Sequence, residues 1–263
     1  MKVKKHLPSL ITLSNLFLGF LSLLYIQKGN LELGCNLILI AAILDSLDGK
    51  LARKIGIASD FGKEIDSLAD LISFCLAPSF LVFNVFYSFD NTSELLFIYL
   101  AIISSFPVLM GAIRLARFNV GHTKESKQNY FVGLPSPMSA ITICSIILMK
   151  LKLETQFNNN EFNIFDLNVI IPVIILLSFL MIGKIHFSKF PLLSFKHSKT
   201  NTIRLFLLIF GIIILMISKI YNYFHIGLFV FTSYYILSNI IFHFINNSIK
   251  LNELRESLKK KKR

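Results

Sequence analysis

Residues 45–53 read D-S-L-D-G-K-L-A-R, and residues 62–70 read G-K-E-I-D-S-L-A-D. Acidic and small residues repeat here at helical spacing: Asp45, Asp48, Gly49 and Ala52 in the first stretch, and Gly62, Asp66 and Asp70 in the second. Residues three, four or seven positions apart share one face of a helix. Because only a short hairpin around residues 56–61 separates the two helices, we expect both faces to meet. The prediction is that four carboxylates converge on one small volume.

Four such carboxylates at a bilayer would repel one another, and removing each carboxylate from water would cost roughly several kcal/mol. A cation must therefore occupy the site. Hard oxygen ligands favour Mg²⁺ or Mn²⁺, and four carboxylates can hold two ions that keep open positions for phosphate oxygens. The alternative is a salt-bridge lattice with Lys50, Arg53, Lys54 and Lys63, which is more typical of single intramembrane acids.

The composition of the whole chain is that of a membrane protein. Of 263 residues, 54% are hydrophobic and 16% charged, and the mean hydropathy is +0.65. The apolar excess excludes disorder, and three scattered cysteines exclude a disulfide scaffold. The 27 Lys and Arg residues lie between long apolar runs rather than on one surface, so we expect no nucleic-acid partner.

The apolar runs predict an all-α polytopic fold of about eight transmembrane helices. Seven uncharged runs carry this prediction: His6–Gln27, Leu71–Phe89, Leu95–Ile113, Gln128–Met149, Leu167–Gly183, Leu205–Ser218 and Ile220–Ile249. An eighth helix begins at Leu33 and continues through the acidic residues to about Arg53. We expect residues 1–185 to form a six-helix core, and residues 186–263 to add two helices, to which we assign no chemistry, and a basic tail.

The distribution of cations predicts the orientation. If the N-terminus is cytoplasmic, the alternating loops place 23 Lys and Arg residues inside and four outside: Lys28, Lys150, Lys152 and Lys219. This asymmetry satisfies the positive-inside rule with an even number of spans. Both termini and the acidic cluster are therefore expected on the cytoplasmic side of the cell membrane.

The acidic segment resembles the D-x2-D-G-x2-A-R-x8-G-x3-D-x3-D motif of the CDP-alcohol phosphatidyltransferase family, with no departure from it. The resemblance implies that Asp45, Asp48, Asp66 and Asp70 bind two divalent metal ions and that Asp70 is also the catalytic base. It further implies a binding pocket for the CDP-lipid. Its residues would be Asp45, Gly49, Ala52, Arg53, Gly62 and Asp66.

Two further stretches resemble the branch of this family formed by the membrane phosphatidylserine synthases of bacteria and archaea. They read R-L-A-R-F-N at residues 114–119 and F-V-G-L-P-S-P at residues 131–137, where we expect the fifth helix to open. With Pro8, Thr12, Asn15 and Gly19, the resemblance covers about residues 1–185. It implies CDP-diacylglycerol and L-serine as substrates, CMP release by direct metal-dependent displacement, and a homodimer.

The acceptor alcohol is the least determined part of this hypothesis. Arg114 and Arg117 lie one helical turn apart and could bind the serine carboxylate, or serve as inner-face topology signals or lipid-headgroup contacts. Asn15 could bond a neighbouring helix or reach the nucleotide. Two alternatives to serine transfer stay open: the same chemistry with glycerol 3-phosphate or an inositol compound, and a cation transporter. The absence of an internal repeat in the sequence argues against the transporter.

Overall fold

The computed structural model describes residues 3–55, 60–87, 93–125, 130–156, 167–188 and 199–261. Its helices are α1 (Val3–Gln27), α2 (Leu31–Ile55), α3 (Asp60–Asp70), α4 (Ala77–Phe86), α5 (Glu94–Ser104), α6 (Phe106–Glu125), α7 (Ser136–Gln156), α8 (Leu167–Ile182), α9 (Lys199–Ile220) and α10 (Phe224–Lys261). A π-helical segment, Leu71–Leu76, joins α3 directly to α4. Only Ser105 separates α5 from α6, where Pro107 cannot donate a helical hydrogen bond. The described chain therefore forms eight helical stretches, and the prediction of an all-α polytopic membrane protein is confirmed.

Five helical stretches within the described ranges are long and apolar enough to cross a membrane: Leu10–Gln27, Phe61–Phe86, Glu94–Val120, Ser136–Thr155 and Phe224–Ile245. Two shorter apolar stretches among the described residues, Leu167–Ile182 and Ile209–Ile220, lie in α8 and α9. Helix α2 carries Glu32 in its first turn and a charged end from Asp45 onward. This charged end brings the first half of the acidic motif.

Helices α1 and α2 form an antiparallel hairpin closed by a tight turn. Gly29 adopts a positive φ of 78°, which lets the chain leave α1 without a side-chain clash. The side chain of Asn30 then accepts a hydrogen bond from the amide of Leu33 at 3.1 Å and caps the start of α2. The hairpin packs against α3, α4 and the π-helical segment. The end of the hairpin opposite this turn therefore holds Asp45 of α2 near α3.

Helix α7 lies at the centre of the bundle, in contact with α2, α4, α8 and α10. Its buried residues include Met138, Ile143 and Ile147, which join the apolar core formed with Ile38 and Phe74. Burial of such side chains contributes about 1.5–3 kcal/mol each where the alternative is water. Within a bilayer the same contacts act through close packing instead.

Two three-residue strands interrupt the helical pattern. Strand β1 (Tyr130–Val132) pairs antiparallel with β2 (His186–Ser188), with Phe131 opposite Phe187. The expectation that residues 128–149 form one helix was therefore wrong at its start, because α7 begins only at Ser136. The reason lies at Gly133, whose φ of +81° ends the strand and where an added Cβ would lie 3.0 Å from the carbonyl carbon of Met181.

Candidate active site

Three of the four predicted carboxylates meet at the junction of α2 and α3. One side-chain oxygen from each of Asp45, Asp66 and Asp70 lies within 4.8 Å of the other two, and all three residues are half-buried. We call this group the acidic triad. Two unit charges at this separation repel by about 3–4 kcal/mol at an effective dielectric of about 20. Hard carboxylate oxygens gathered this closely fit a divalent cation.

The remaining predicted residues of the motif lie on α2 and α3. Gly62 is half-buried in α3, one helical turn before Asp66. The backbone of α2 includes Asp48, Gly49, Ala52 and Arg53, but their side chains lie outside the described part of the structure. The fourth carboxylate and the nucleotide-pocket residues on α2 thus stay predictions.

The π-helical segment begins immediately after Asp70. Its wider turn shows in the amide of Ala77, which donates to the carbonyl of Ile72, five residues back. Such segments are rare and often occur at functional sites. The hydroxyl of Ser73 donates to the backbone carbonyl of Asn15 at 3.0 Å and ties the segment to α1. A Cβ at Gly19 would lie 2.8 Å from the Cα of Ser73, so only glycine lets α1 approach here.

Asn15 is fully buried beside this contact. Neither side-chain amide atom of Asn15 has a hydrogen-bond partner among the described residues. Burying an amide without partners costs about 1–3 kcal/mol. The described helices therefore give no support to the interpretation that Asn15 bonds a neighbouring helix, and the alternative that it reaches a ligand stays a prediction.

The two predicted arginines lie on α6 and differ in their surroundings. Arg114 is half-buried, and its Nη1 donates to the hydroxyl of Ser136 at 3.1 Å, at the first residue of α7. Arg117 is exposed, and its Nη1 donates to the carbonyl of Ile182 at 2.9 Å. That carbonyl belongs to the last turn of α8, where carbonyl groups lack helical partners and a cation is favourable. Arg117 therefore has a structural role in capping α8.

Both arginines line a cleft that we call the arginine cleft. Its walls are Arg114, Arg117, Phe118, Phe131, Val132 and Met181, and its empty volume, including the open mouth, is about 340 Å³. Two guanidinium groups among apolar and aromatic walls suit a small ligand with an anionic group.

The arginine cleft adjoins the acidic triad through the π-helical segment. The thiol of Cys75 interacts electrostatically with both Asp70 and Arg114, so Cys75 is near both sites. A Cβ at Gly111 would lie 2.9 Å from the Cβ of Cys75, which shows how closely α6 packs on the segment. Gly111 and Arg114 are one turn apart on α6. This close contact brings the guanidinium towards the acidic triad.

Asn119 on α6 connects the two sites through hydrogen bonds to α3, a role that the sequence pattern does not predict. The hydroxyl of Ser67 donates to Asn119 Oδ1 at 3.0 Å, and Asn119 Nδ2 donates to Glu64 Oε2 at 3.2 Å. Ser67 and Glu64 flank Asp66 on α3, so one α6 side chain helps to fix the acidic helix, which also packs on α1. The signal was present in the R-L-A-R-F-N stretch, where Asn119 follows Arg117 on the same helix.

The sequence of the chain is similar to those of known proteins. A model of the CDP-alcohol phosphatidyltransferase family matches residues 5–165. The chain is 36% identical over 203 residues to a CDP-diacylglycerol–serine O-phosphatidyltransferase of Helicobacter pylori, covering 77% of each chain. It is 32% identical over 201 residues to the enzyme of that name from Bacillus subtilis, covering 74% of this chain and 95% of the relative. An archaetidylserine synthase of Methanothermobacter thermautotrophicus is 41% identical over 144 residues, covering 54% and 58%.

Proposed function

The chain belongs to the CDP-alcohol phosphatidyltransferase family, and from this membership we propose that it transfers the phosphatidyl group of CDP-diacylglycerol to the hydroxyl of L-serine and releases CMP. The names of the relatives support serine as the acceptor. The observation that carries the proposal is the position of the arginine cleft beside the acidic triad. One site suits a metal-bound diphosphate, and the other suits a small carboxylate.

The acidic triad is the proposed metal site, with Asp48 as the fourth predicted ligand. Mg²⁺ or Mn²⁺ fits these oxygen donors, and we expect two ions. Bound ions would neutralise the charge that develops on the diphosphate as CMP departs. The nucleotide would lie against Gly49, Ala52, Arg53 and Gly62, as the family resemblance implies. The buried amide of Asn15 is a further candidate contact for this substrate.

The acceptor would bind through Arg114. A guanidinium can bind a carboxylate through two hydrogen bonds. The bond from Arg114 to Ser136 fixes the Arg114 side chain at the N-terminus of α7. The more exposed Arg117 would add positive charge to the same cleft. The serine hydroxyl would then have to reach Asp70, and Cys75 is near both Arg114 and Asp70.

Asp70 would act as the base. Its carboxylate takes the proton from the serine hydroxyl as the hydroxyl oxygen forms a bond to phosphorus. The bond between that phosphorus and the oxygen of CMP breaks, and CMP leaves with the electron pair. The displacement is direct, so no covalent intermediate with the enzyme forms. Half-burial of Asp70 at the start of the π-helical segment limits competing water at this carboxylate.

We place the site at the cytoplasmic face of the cell membrane, with both termini on that side. The 23 cations assigned to the inner side, against four outside, support this orientation. A water-soluble acceptor and the released CMP would then reach the site from the cytoplasm, while the lipid tails stay in the bilayer. We also propose a homodimer, as the resemblance implies, and chemical cross-linking of the purified protein in membranes would test it.

The acceptor assay is the decisive experiment. Purified protein in detergent micelles with CDP-diacylglycerol and Mn²⁺ receives L-serine, glycerol 3-phosphate or inositol phosphate, and CMP release is measured for each. We expect serine-dependent release. Faster release with either of the other acceptors would overturn serine as the substrate. Absence of release with all three, together with Mn²⁺ uptake into proteoliposomes, would favour the transporter.

A binding measurement tests the metal site independently of turnover. Mn²⁺ should raise the thermal unfolding temperature of the wild type, because a ligand that binds only the folded state stabilises it. The Asp66→Asn variant should lose most of this shift, whereas Glu94→Gln, an exposed carboxylate at the start of α5, should retain it. An equal shift in Asp66→Asn would remove the acidic triad as the metal site.

A further inference from the structure

The C-terminal helix α10 holds strand β2 through three side chains on one face. Tyr235, Asn239 and His243 are spaced four residues apart and lie one above another on the helix. The amide of Ser188 donates to Asn239 Oδ1 at 2.7 Å, and the hydroxyl of Tyr235 donates to the carbonyl of Ser188 at 3.1 Å. The amide of His186 donates to His243 Nδ1 at 3.2 Å. We call these three side chains the α10 clamp.

The α10 clamp occupies the outer edge of the β1–β2 ribbon. Successive residues of a strand direct their backbone groups to opposite edges. Phe187 therefore bonds towards its partner Phe131 on β1, while His186 and Ser188 bond towards α10. Three-residue strands in a two-stranded ribbon are marginal by themselves. The position of this ribbon consequently depends on the helix that covers its free edge.

Helix α10 is itself fixed to the centre of the bundle. The hydroxyls of Ser145 on α7 and Thr232 on α10 are 3.3 Å apart, and both residues are fully buried. Asn239 is 8% exposed, and its Nδ2 donates to the carbonyl of Tyr235 at 2.7 Å, which fixes the direction of Oδ1. The clamp is thus a rigid support for β2.

The ribbon also forms a wall of the arginine cleft. Phe131 and Val132, both on β1, line that cleft beside Arg114. The ring of Tyr235 stacks on Phe187 at 6.1 Å between centroids, and its hydroxyl interacts electrostatically with Arg114. A shift of β2 would therefore move β1 and change the space in front of the guanidinium.

We propose that the α10 clamp positions the acceptor-binding wall and thereby sets the affinity for the acceptor alcohol. Tyr235, Asn239 and His243 are positioning residues, since they act through β2 and β1. This inference rests on the proposed function of the arginine cleft as the acceptor site. It gives the C-terminal extension, which lies beyond the part of the chain matched by the family model, a role in substrate selection.

The test compares Asn239→Leu with Ser238→Ala. Leucine retains the branched shape and the number of heavy atoms of Asn239 and removes the acceptor for the Ser188 amide. Ser238 is the adjacent residue, and its hydroxyl bonds only within α10 among the described residues, so Ser238→Ala is the matched control. We expect Asn239→Leu to raise the serine KM by about 3–10-fold, as for the loss of one buried hydrogen bond, with the KM for CDP-diacylglycerol unchanged. Asn239→Asp retains an acceptor oxygen and should restore most of the serine affinity.

Hydrogen exchange of the peptide that contains residues 184–188 provides a readout that does not need activity. Asn239→Leu should speed exchange at the Ser188 amide, and Ser238→Ala should not. Faster exchange with an unchanged serine KM would overturn the role in acceptor binding, and unchanged exchange would overturn the clamp itself. A wild-type enzyme without serine-dependent CMP release would instead refute the proposed function. If Asn239→Leu does not fold, Tyr235→Phe removes the other bond to Ser188 and is measured in the same way.

Discussion

The acidic triad and the arginine cleft lie side by side, but they are assembled in different ways. The triad comes from two consecutive helices within residues 45–70. The cleft takes its walls from α6, β1 and the end of α8, between residues 114 and 181, and α10 supports β1 through β2. The first site depends on local helical geometry, whereas the second depends on contacts between distant parts of the chain.

This difference has a functional consequence within the family chemistry. Every donor substrate with a CDP group presents the same diphosphate, and the proposed metal site, which is compact and comes from one short segment, suits a substrate group that does not vary. Acceptor alcohols differ, and a cleft built from several elements can change through any of them. We therefore expect substitutions in the triad to abolish turnover, and those around the cleft to change the acceptor KM.

The largest effect should follow the change Asp70→Asn. Loss of the proposed base should lower kcat by about 10²–10⁴-fold, as for a single proton-transfer group, and loss of a proposed metal ligand should add to this. CMP release measures turnover, and a binding assay with CDP-diacylglycerol should show that affinity for the donor partly survives. Glu94→Gln serves as the control. Wild-type turnover in Asp70→Asn would remove Asp70 as the base.

Arg114→Ala tests the arginine cleft. Removing a charge-assisted, two-bond contact to a carboxylate costs about 1.5–3 kcal/mol, so the serine KM should rise about 10–100-fold while the KM for CDP-diacylglycerol changes little. Arg117→Ala should mainly lower the unfolding temperature, because Arg117 caps α8 through the carbonyl of Ile182. An unchanged serine KM in Arg114→Ala would contradict the assignment of the cleft.

The contrast between the two sites also explains how much of the molecule the sequence predicts. Acidic residues three or four positions apart share one helix face, and a short link keeps the two helices close. The structure accordingly brings Asp45, Asp66 and Asp70 together. Runs of apolar residues likewise predict the eight helical stretches, since each must satisfy its backbone within the bilayer.

The parts that the sequence does not predict are those with weak local patterns. The three residues of β1, Tyr130–Val132, are too few to show the alternation of a strand. They lie near the start of an apolar run that continues into α7. Nothing in the Leu71–Leu76 segment distinguishes a π-helix from an α-helix. The α10 clamp did leave a signal, polar residues every fourth position in an apolar helix, but its partner strand is about fifty residues away. Its role is therefore visible only in three dimensions.

Asn119→Ala tests the connection between the two sites. It removes both bonds to α3, through Ser67 and Glu64, and each partly exposed bond contributes about 0.5–1 kcal/mol. We expect kcat to fall about 3–10-fold because the acidic helix shifts relative to Arg114, with a modest decrease in unfolding temperature. Asn84→Ala is the matched control, since the amide of Asn84 donates to the carbonyl of Phe80 within its own helix. Equal kinetics in both variants would show that the two sites are positioned independently.

The smallest effect should come from pH, at the ribbon that forms the cleft wall. Partial burial, and to a lesser extent the neighbouring His243, lower the pKa of His186 below its ordinary value of 6.5. The ring of His186 also lies 4.2 Å from that of Tyr130. Because the unfolded chain binds the proton more readily, the free energy of unfolding should fall as the pH decreases below about 6.5, and no loss is expected from this group at higher pH. Unfolding temperatures from pH 7.5 to pH 5 should decrease by on the order of 1 °C more in the wild type than in His186→Gln. Identical pH profiles would show that protonation of the His186 ring does not lower the free energy of unfolding.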